Sequence, residues 1–403
     1  MANVIGAGGA YELLQVIRDG IPRTRSQLAA ISGMSRTTVG LRVDALRELG
    51  LVVPVSDATS TGGRPSSQIA FHPSARVVAA ADLGATHARI GICDLAGVVL
   101  ARVSTPLDIA EGPEKVLACV RAQIFELLEQ ICRAPVDLLA IGIGLPGPVQ
   151  HSTGRPARPP LMPGWDEFDV PGEMQKYFSI PVLVDNDVNV MALGEYWSRQ
   201  PASENMVFVK VATGIGSGII SDGRLQRGAD GAAGDIGHIP LARGAGVLCR
   251  CGKSGCVEAI AGAPAIAAGL HAVRPDITSA NDLIERVRAG DLDAIHAVRQ
   301  AGRDIGEVLN TCVSIVNPSV ITIGGLMAQA GEHLLAGIRE VVYGSSTPLA
   351  TEHLVIEQSK AGPDVGLIGA SILAIEHALS PERLDLELGN IDTEFARHFQ
   401  SKI

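Results

Sequence analysis

The segment Val77-Val-Ala-Ala-Ala-Asp-Leu-Gly-Ala-Thr86 decides the fold of most of this 403-residue chain. Its apolar run predicts a buried β-strand that ends in a tight turn carrying a carboxylate, a glycine and a hydroxyl, those of Asp82, Gly84 and Thr86. A second apolar strand over 88–93 follows at once. Such a hairpin can present backbone N–H groups to a phosphate, with Asp82 placed to hold Mg²⁺ directly or through water.

Two further glycine-containing loops follow apolar strands downstream. The loop Thr213-Gly-Ile-Gly-Ser-Gly218 lies between the apolar runs 207–211 and 219–220, and Gly324-Gly325 follows the strand 320–323. Glycine lets the backbone approach an anion closely, although each loop alone is also compatible with an ordinary tight turn. Because strands and helices alternate after residue 77, we predict an α/β domain with phosphate- or ATP-binding residues at its strand ends. These residues are Asp82, Gly84, Thr86, Thr213, Gly214, Gly216, Gly218, Gly324 and Gly325.

The triplet Asp185-Asn186-Asp187 is a candidate reaction centre. It ends the apolar strand 181–184 and precedes a helical pattern that runs through Glu195. Phosphoryl transfer to a sugar hydroxyl needs a base within hydrogen-bond distance of that hydroxyl, and a carboxylate can accept the proton. Asp187 is our candidate for this base. The alternative is a helix cap rich in Asp and Asn, a role that Asp185 alone can also have.

A compact set of histidine and cysteine residues predicts a metal site. His238 is followed by Cys249, Cys251 and Cys256, so that three of the seven cysteines fall within eight residues. One His with three Cys suits tetrahedral Zn²⁺ with no open coordination position, which is typical of a structural site. We predict that zinc shapes the loop around it and leaves the chemistry to other residues.

The first 75 residues have the pattern of a winged helix-turn-helix. Two short helical segments precede a third that Ser35 can cap and that extends through Glu48. Two apolar strands, 51–55 and 67–71, flank a tip rich in Gly, Ser and Thr. The alternative is a small helical module that binds another protein. We favour DNA binding through the third helix and the tip, with the contacts Arg36, Thr37, Thr38, Arg42 and Arg64.

Charge and composition limit the classes of partner. The first 76 residues carry eight arginines against five acids, whereas the whole chain has a formal net charge of −10. A basic head on an acidic body is expected if only the head meets phosphate. No run of about 18 uninterrupted apolar residues and no signal-peptide pattern occurs, so we expect a cytoplasmic protein without a membrane partner.

Taken together, these residues resemble the ROK family of repressors and sugar kinases. The turn 82–86 is similar to the first phosphate motif of the family, the loop 213–218 to its second, and 231–238 with the cysteines to its zinc signature. The head, with its segments 35–39 and 62–65, resembles that of the regulator branch. The resemblance implies an α/β fold in which a winged helix-turn-helix precedes an actin/hexokinase-like, two-lobed sugar-kinase domain.

The resemblance also implies a sugar pocket. Its members would be Asn186, Asp187, Asp235, His238 and Glu258, with His238 ligating zinc through its other ring nitrogen. Position 235 is Asp where the family usually has Glu, which shortens the carboxylate by one methylene. Ala85 and Ser217 stand where glycine is commoner in the family, close to the expected phosphates.

These inferences predict the organisation and role of the chain. Residues 1–75 form the DNA-binding head, 76–190 with 366–379 form lobe one, 191–365 form lobe two, and 380–403 form a tail. We expect a sugar-responsive repressor that binds operator DNA as a homodimer or a dimer of dimers, with a monosaccharide or sugar-phosphate ligand. The alternative is an ATP-dependent hexose or N-acetylhexosamine kinase that uses Mg-ATP and Asp187 as base.

Overall fold

The computed structural model describes residues 8–55, 67–199 and 203–388, and the chain begins with a small helical head. Helix α3 follows α2 after a short turn and precedes two paired strands, which is the element order predicted for a winged helix-turn-helix. The strands are antiparallel in the order β1-β3-β2. Arg64 lies outside the described residues. The head consists of α1 (Gly8–Ile17), β1 (Arg23–Thr24), α2 (Arg25–Ser32), α3 (Arg36–Glu48), β2 (Val52–Val55) and β3 (Gln68–Phe71).

Local sequence signals set the ends of the two helices that form the turn. Gln27 N donates to Thr24 Oγ1 at 3.2 Å, and Thr24 N donates to Gln27 Oε1 at 2.8 Å, which closes a capping box. Gly33 ends α2 with φ at 69°, a left-handed conformation that glycine adopts without strain. Ser35 Oγ accepts from Thr38 N at 3.1 Å. The helix cap predicted at Ser35 is confirmed.

Lobe one is built around a five-stranded sheet in the order β10-β7-β4-β5-β6. Strands β4, β7 and β10 are parallel, whereas β4, β5 and β6 form an antiparallel meander. Its elements are β4 (Val77–Leu83), β5 (His87–Asp94), β6 (Val99–Pro106), α4 (Pro113–Gln130), β7 (Leu138–Leu145), β8 (Val149–Gln150), β9 (Arg155–Pro156), α5 (Val170–Gln175), β10 (Val182–Asn186) and α6 (Asp187–Ser198).

Lobe two repeats this sheet with the order β13-β12-β11-β14-β15. In both sheets the first three strands are antiparallel and the last two run parallel to the first, so the two lobes share one topology. The predicted two-lobed fold is confirmed. The remaining elements are β11 (Met206–Val211), β12 (Ile215–Ser221), β13 (Arg224–Gln226), α7 (Glu258–Ala261), α8 (Ala263–Leu270), α9 (Ala280–Arg288), α10 (Leu292–Val316), β14 (Val320–Gly324), α11 (Glu332–Ser345), α12 (Pro348–Thr351), β15 (Val355–Gln358) and α13 (Val365–Ala378).

Two helices, α6 and α13, pack closely together where the lobes meet. A Cβ on Gly369 would lie 1.6 Å from the carbonyl oxygen of Val190, and one on Gly194 would lie 1.9 Å from that of Val365. Only residues without a side chain allow the helix backbones to approach so closely. The glycines therefore set the distance between α6 and α13.

The hydrophobic core of the head is continuous with lobe one. Leu13, Leu14 and Val39 of the head belong to the same buried cluster as Ile372 and Ile375 of α13. Helix α4 covers the opposite face of the lobe-one sheet. The head thus packs on the sheet face that carries α13. If the head or α13 moves without the other, apolar surface between them becomes exposed to water.

The beginning of the predicted tail packs into the cluster that the head shares with α13. Residues 381–388 are helical, and Leu384 is buried in the cluster that joins the head to α13. Across the described ranges, every helix is too short or too polar to cross a membrane.

Candidate functional site

A cleft of about 900 Å³ between the lobes brings the predicted ligand residues together. Strands β4, β10 and β14 all have their carboxyl ends at the cleft. Ligands of α/β folds bind outside the carboxyl ends of parallel strands, so the topology explains the position of the cleft. The predicted residues that line the cleft are Asp82, Gly84, Thr86, Asn186, Asp187, Thr213, Gly214, Gly216, Asp235, His238, Glu258, Gly324 and Gly325.

Gly218 is the exception among the predicted phosphate-loop residues. Strand β12 begins at Ile215, so Gly216 and Gly218 lie in a strand and the turn itself is shorter than the sequence suggested. A Cβ on Gly218 would lie 2.5 Å from the Ala192 Cβ, which belongs to α6. Gly218 is outside the cleft lining, and the absence of a side chain there allows β12 to pack against α6.

The triplet at the end of β10 combines capping with ligand presentation. Asn186 Oδ1 accepts from Val188 N at 2.9 Å and Asn186 Nδ2 donates to Gly147 O at 2.8 Å, so both ends of the amide already have a partner. Asp185 accepts from Arg227 Nε at 2.6 Å and from Asn189 Nδ2 at 2.8 Å. Asp185 is therefore a buried structural carboxylate, and Asp187 is the acid of the triplet that lines the cleft.

Asp187 forms an ion pair with Lys210 of β11. Burial alone would lower the pKa of the Lys210 ammonium, but its attraction to Asp187, its hydrogen bond to that carboxylate and the nearby Asp82 raise the pKa above its ordinary value. Lys210 is therefore protonated throughout the physiological pH range.

Asp82 has a second basic partner on the neighbouring strand. Arg89 Nη1 lies 3.6 Å from Asp82 Oδ2, and Asp82 is 7% exposed. Burial raises the pKa of Asp82, Lys210 lowers it and Asp187 raises it further. Asp82 and Asp187 therefore each have a basic side chain beside them.

Sequence reasoning missed three residues of this site. Lys210 is the one charged residue of the strand Val207-Phe-Val-Lys-Val211, and a lone ammonium in a buried strand is a signal for a carboxylate partner. Arg89 likewise lies in a mostly apolar strand, β5. Asn189 is 2% exposed, lines the cleft and leaves its Oδ1 without a hydrogen-bond partner, which suits a ligand hydroxyl.

Asp235, His238 and Glu258, which are also assigned to sugar by resemblance, line the same cleft as Asn186 and Asp187. His238 Nε2 lies 4.0 Å from Asp235 Oδ1, and the Asp235 side chain is 50% exposed to the cleft. Glu258 Oε2 accepts from Ile215 N at 3.1 Å. Because Glu258 begins α7 and this bond reaches the end of the glycine turn, the zinc-bearing segment and the phosphate-type loop are held together.

The four predicted metal ligands converge around His238, which also lines the cleft. The nitrogen and sulfur atoms of His238, Cys249, Cys251 and Cys256 all lie within 4.8 Å of one another. His238 Nδ1 is 3.7 Å from Cys249 Sγ, and Cys251 Sγ is 3.7 Å from Cys256 Sγ. A tetrahedron with Zn–S bonds of about 2.3 Å has edges of about 3.8 Å, so this donor set fits zinc. His238 Nε2 remains directed to Asp235.

The predicted DNA-binding face is only partly as expected. Arg36 and Thr37 are exposed on the first turn of α3, and Thr38 Oγ1 is 2.7 Å from Ser35 Oγ. Arg42 differs, because its guanidinium lies against Gly9 of α1 and beside the Met34 sulfur. The prediction that Arg42 faces outward is therefore not met, and its packing links α3 to α1.

Comparison with known proteins gives one family. Residues 78–377 match the ROK family. A xylose repressor from Bacillus spizizenii is 26% identical over 368 residues, which cover 91% of this chain and 94% of that protein. A glucokinase from Halalkalibacterium halodurans is 28% identical over 317 residues, covering 75% of this chain and 96% of the enzyme. The match to the repressor therefore extends over more of this chain than the match to the kinase.

A solved structure gives the same result. The crystal structure of a ROK family transcriptional regulator, a homologue of the E. coli MLC protein, superimposes with a TM-score of 0.81 at 25% identity. The match covers 94% of this chain and 98% of that regulator. Both the head and the two lobes are thus present in one known architecture.

Proposed function

The chain belongs to the ROK family, and we propose from this premise that it is a sugar-responsive transcriptional repressor. In this proposal the head binds operator DNA through the exposed start of α3, and the cleft binds the sugar. Asn186, Asp187, Asp235, His238 and Glu258 contact the sugar hydroxyls. A buried hydroxyl without a partner costs about 1–3 kcal/mol, so such a polar pocket can discriminate one epimer from another.

One observation carries the proposal: the helices that begin at the cleft end at the head. Helix α6 begins at Asp187, and α13 begins at Val365, which also lines the cleft. Near their carboxyl ends, Trp197 and Glu376 both contact Arg18, just beyond α1. A ligand that favours one arrangement of α6 and α13 therefore biases the position of the head.

The repressor acts as a homodimer or a dimer of dimers in this proposal. Two heads on one face of the duplex must meet half-sites separated by about 34–36 Å. A sugar that changes the closure of the lobes changes the spacing of the heads, and it alters operator affinity by the difference in its own affinity for the two arrangements.

The test is operator binding in the presence and absence of sugar. The full-length, zinc-loaded protein is titrated with a duplex selected from a random library, with and without each of a panel of pentoses, hexoses and N-acetylated sugars. We expect one sugar to weaken DNA binding by at least about fivefold. Unchanged operator affinity at saturation, for every sugar that binds, would refute the proposal.

Two variants separate the two activities. Arg36→Ala should lose operator affinity and keep sugar affinity, because Arg36 is exposed on α3 and far from the cleft lining. Glu258→Gln should do the reverse. If Arg36→Ala left operator binding intact, the DNA contact would have to be assigned to another face of the head.

A sugar kinase with Asp187 as base is the second candidate. It is supported by the convergence of Asp82, Gly84, Thr213 and Asp187 in one cleft and by the likeness to a glucokinase. ADP release from Mg-ATP across the same panel, with Asp187→Asn as control, tests this reading. Turnover with one sugar, abolished in the variant, would support kinase activity.

A further inference from the structure

We propose that Lys210 is a fixed cation that serves Asp82 and Asp187 in place of a divalent metal, so that the cleft binds an uncharged sugar without a magnesium nucleotide. This inference rests on the proposed sugar-binding function and names the class of ligand. It concerns the part of the cleft lined by Asp82, Asp187 and Lys210.

The first step is the geometry of the ammonium. Lys210 extends from β11 of lobe two and donates to Asp187 Oδ2 of lobe one, with side chains that are 22% and 4% exposed. The pair therefore joins the two lobes in surroundings where charges interact more strongly than in water. One of the two carboxylate oxygens of Asp187 therefore already accepts a hydrogen bond from a cation.

The second step is the balance of charge around this pair. When Asp82 is ionised, Asp82 and Asp187 supply two negative charges against the two positive charges of Lys210 and Arg89; burial raises the pKa of Asp82, and its protonation leaves the cluster with a net positive charge. His87 adds none near neutral pH, because burial and the adjacent Arg89 and Lys210 lower the pKa of its ring. Arg89 Nη1 lies 3.1 Å from His87 Nε2. A neutral imidazole can accept a hydrogen bond from the guanidinium at this nitrogen.

Carboxylates that are already paired with Lys210 and Arg89 are poor ligands for Mg²⁺. Mg²⁺ takes carboxylate oxygens that are not already paired, and it retains waters that need space around it. A phosphate group brought beside Asp82 and Asp187 would place further negative charge next to carboxylates in a partly buried site, which is unfavourable. A neutral hydroxyl needs only hydrogen-bond partners, and the unpartnered Oδ1 of Asn189 offers one in the same lining.

The second glycine loop is consistent with this reading. Ser217 Oγ donates to Gly234 O at 3.0 Å and so ties the strand after the turn to the segment that leads to the metal ligands. Ser217 also belongs to the cleft lining. The loop is built for contact with the zinc-bearing segment.

The experiment uses Mn²⁺ as a paramagnetic substitute for Mg²⁺ on the full-length, zinc-loaded protein. Electron paramagnetic resonance counts bound Mn²⁺, and calorimetry measures sugar affinity with and without Mg-ATP. In the natural protein we expect no saturable Mn²⁺ site and a sugar affinity that Mg-ATP changes by less than about twofold. In Lys210→Met we expect one saturable Mn²⁺ per chain, absent again in Lys210→Met with Asp82→Asn.

Two control variants keep the test specific. Lys210→Arg retains the positive charge and should still bind no Mn²⁺. Arg227→Met removes the cation from the buried pair with Asp185, outside the cleft lining, and should create no Mn²⁺ site. Sugar calorimetry on each variant reports whether the cleft has folded.

Several results would overturn the proposal. They are a saturable Mn²⁺ site in the natural protein, ADP release with any uncharged sugar, tighter binding of a sugar phosphate than of its parent sugar, or a folded Lys210→Met without an Mn²⁺ site. None of these measurements involves DNA. A failure of the repressor proposal, seen as sugar-independent operator binding, is therefore distinguishable from a failure of this one.

Discussion

Arg18 of the head donates to Glu376 of α13 at 2.8 Å, and its guanidinium lies 5.8 Å from the centre of the Trp197 ring at the end of α6. The Arg18 side chain is 8% exposed and that of Glu376 is 44% exposed, so this contact is partly open to solvent and joins the head to both helices that begin at the cleft. It is the polar contact best placed to transmit a ligand-induced shift.

Replacing Arg18 should therefore reduce coupling more than stability. In Arg18→Met we expect a loss of less than about 1 kcal/mol in the free energy of unfolding, because Glu376 is partly solvated. The ratio of operator affinities without and with sugar should fall towards one. Fluorescence anisotropy measures that ratio. Lys115→Met, which removes an exposed pair with Glu111, is the matched control, and an equal loss of coupling there would contradict the role of Arg18.

Adding a methyl group at the helix contact should destabilise the junction of the lobes. Gly369→Ala should lower the free energy of unfolding by at least about 2 kcal/mol, because its Cβ would overlap Val190 O and the backbones cannot relax locally. Gly344→Ala is the control, since that exposed helical glycine has open space at its Cβ and should gain up to about 1 kcal/mol. Urea denaturation distinguishes them, and equal effects would contradict the packing argument.

Losing the metal should weaken sugar binding even though the metal itself does not contact the sugar. Cys256→Ser should contain less than one zinc per chain by elemental analysis and should bind sugar at least about tenfold more weakly. The reason is that His238 and Glu258 belong to the segment that the metal orders. Cys119→Ser, outside the cluster, should retain both zinc and affinity. Full sugar affinity in a zinc-free protein would contradict this account.

Breaking one half of the buried ion pair should cost more than removing both halves. Asp187→Asn leaves the Lys210 ammonium without its partner and should destabilise the protein by about 3–5 kcal/mol. Lys210→Met in the same chain should recover part of that loss. A double-mutant cycle of urea unfolding energies gives the coupling, and strictly additive effects would contradict a direct interaction.

Stability should decrease as the solution becomes acidic. Burial lowers the pKa of His87, and burial followed by the charge of Arg383 lowers the pKa of His377. Between these values and the ordinary value of about 6.5 the unfolded chain binds more protons, so stability is complete above that value and declines as pH falls towards the folded pKa.

The corresponding variants test this sign. His87→Gln and His377→Gln should each flatten the decline of the urea midpoint between about pH 7.5 and pH 5.5, and the double variant should be flattest. A steeper acid decline in His87→Gln would contradict the direction of the His87 shift.

The sequence by itself determined the features that depend on local pattern and on chemical type. Capping residues predict helix ends because the hydrogen bonds span three residues, and the Cys-rich run predicts zinc because four soft ligands lie close in the chain. The buried strands 77–83 and 320–324 were evident from their apolar residues. The residues at the ends of these strands were therefore assigned to one cleft.

Only the tertiary structure decided which side chains meet across the lobes. Lys210 and Asp187 are separated by 22 intervening residues and belong to a strand of lobe two and a helix of lobe one, and Arg18 and Glu376 are farther apart still. Gly218 and Arg42 are residue types that often contact phosphate or DNA. In the structure they pack against Ala192 and Gly9, respectively. Local pattern carries no information on these pairs, because the distance between them is set by how whole helices and sheets pack.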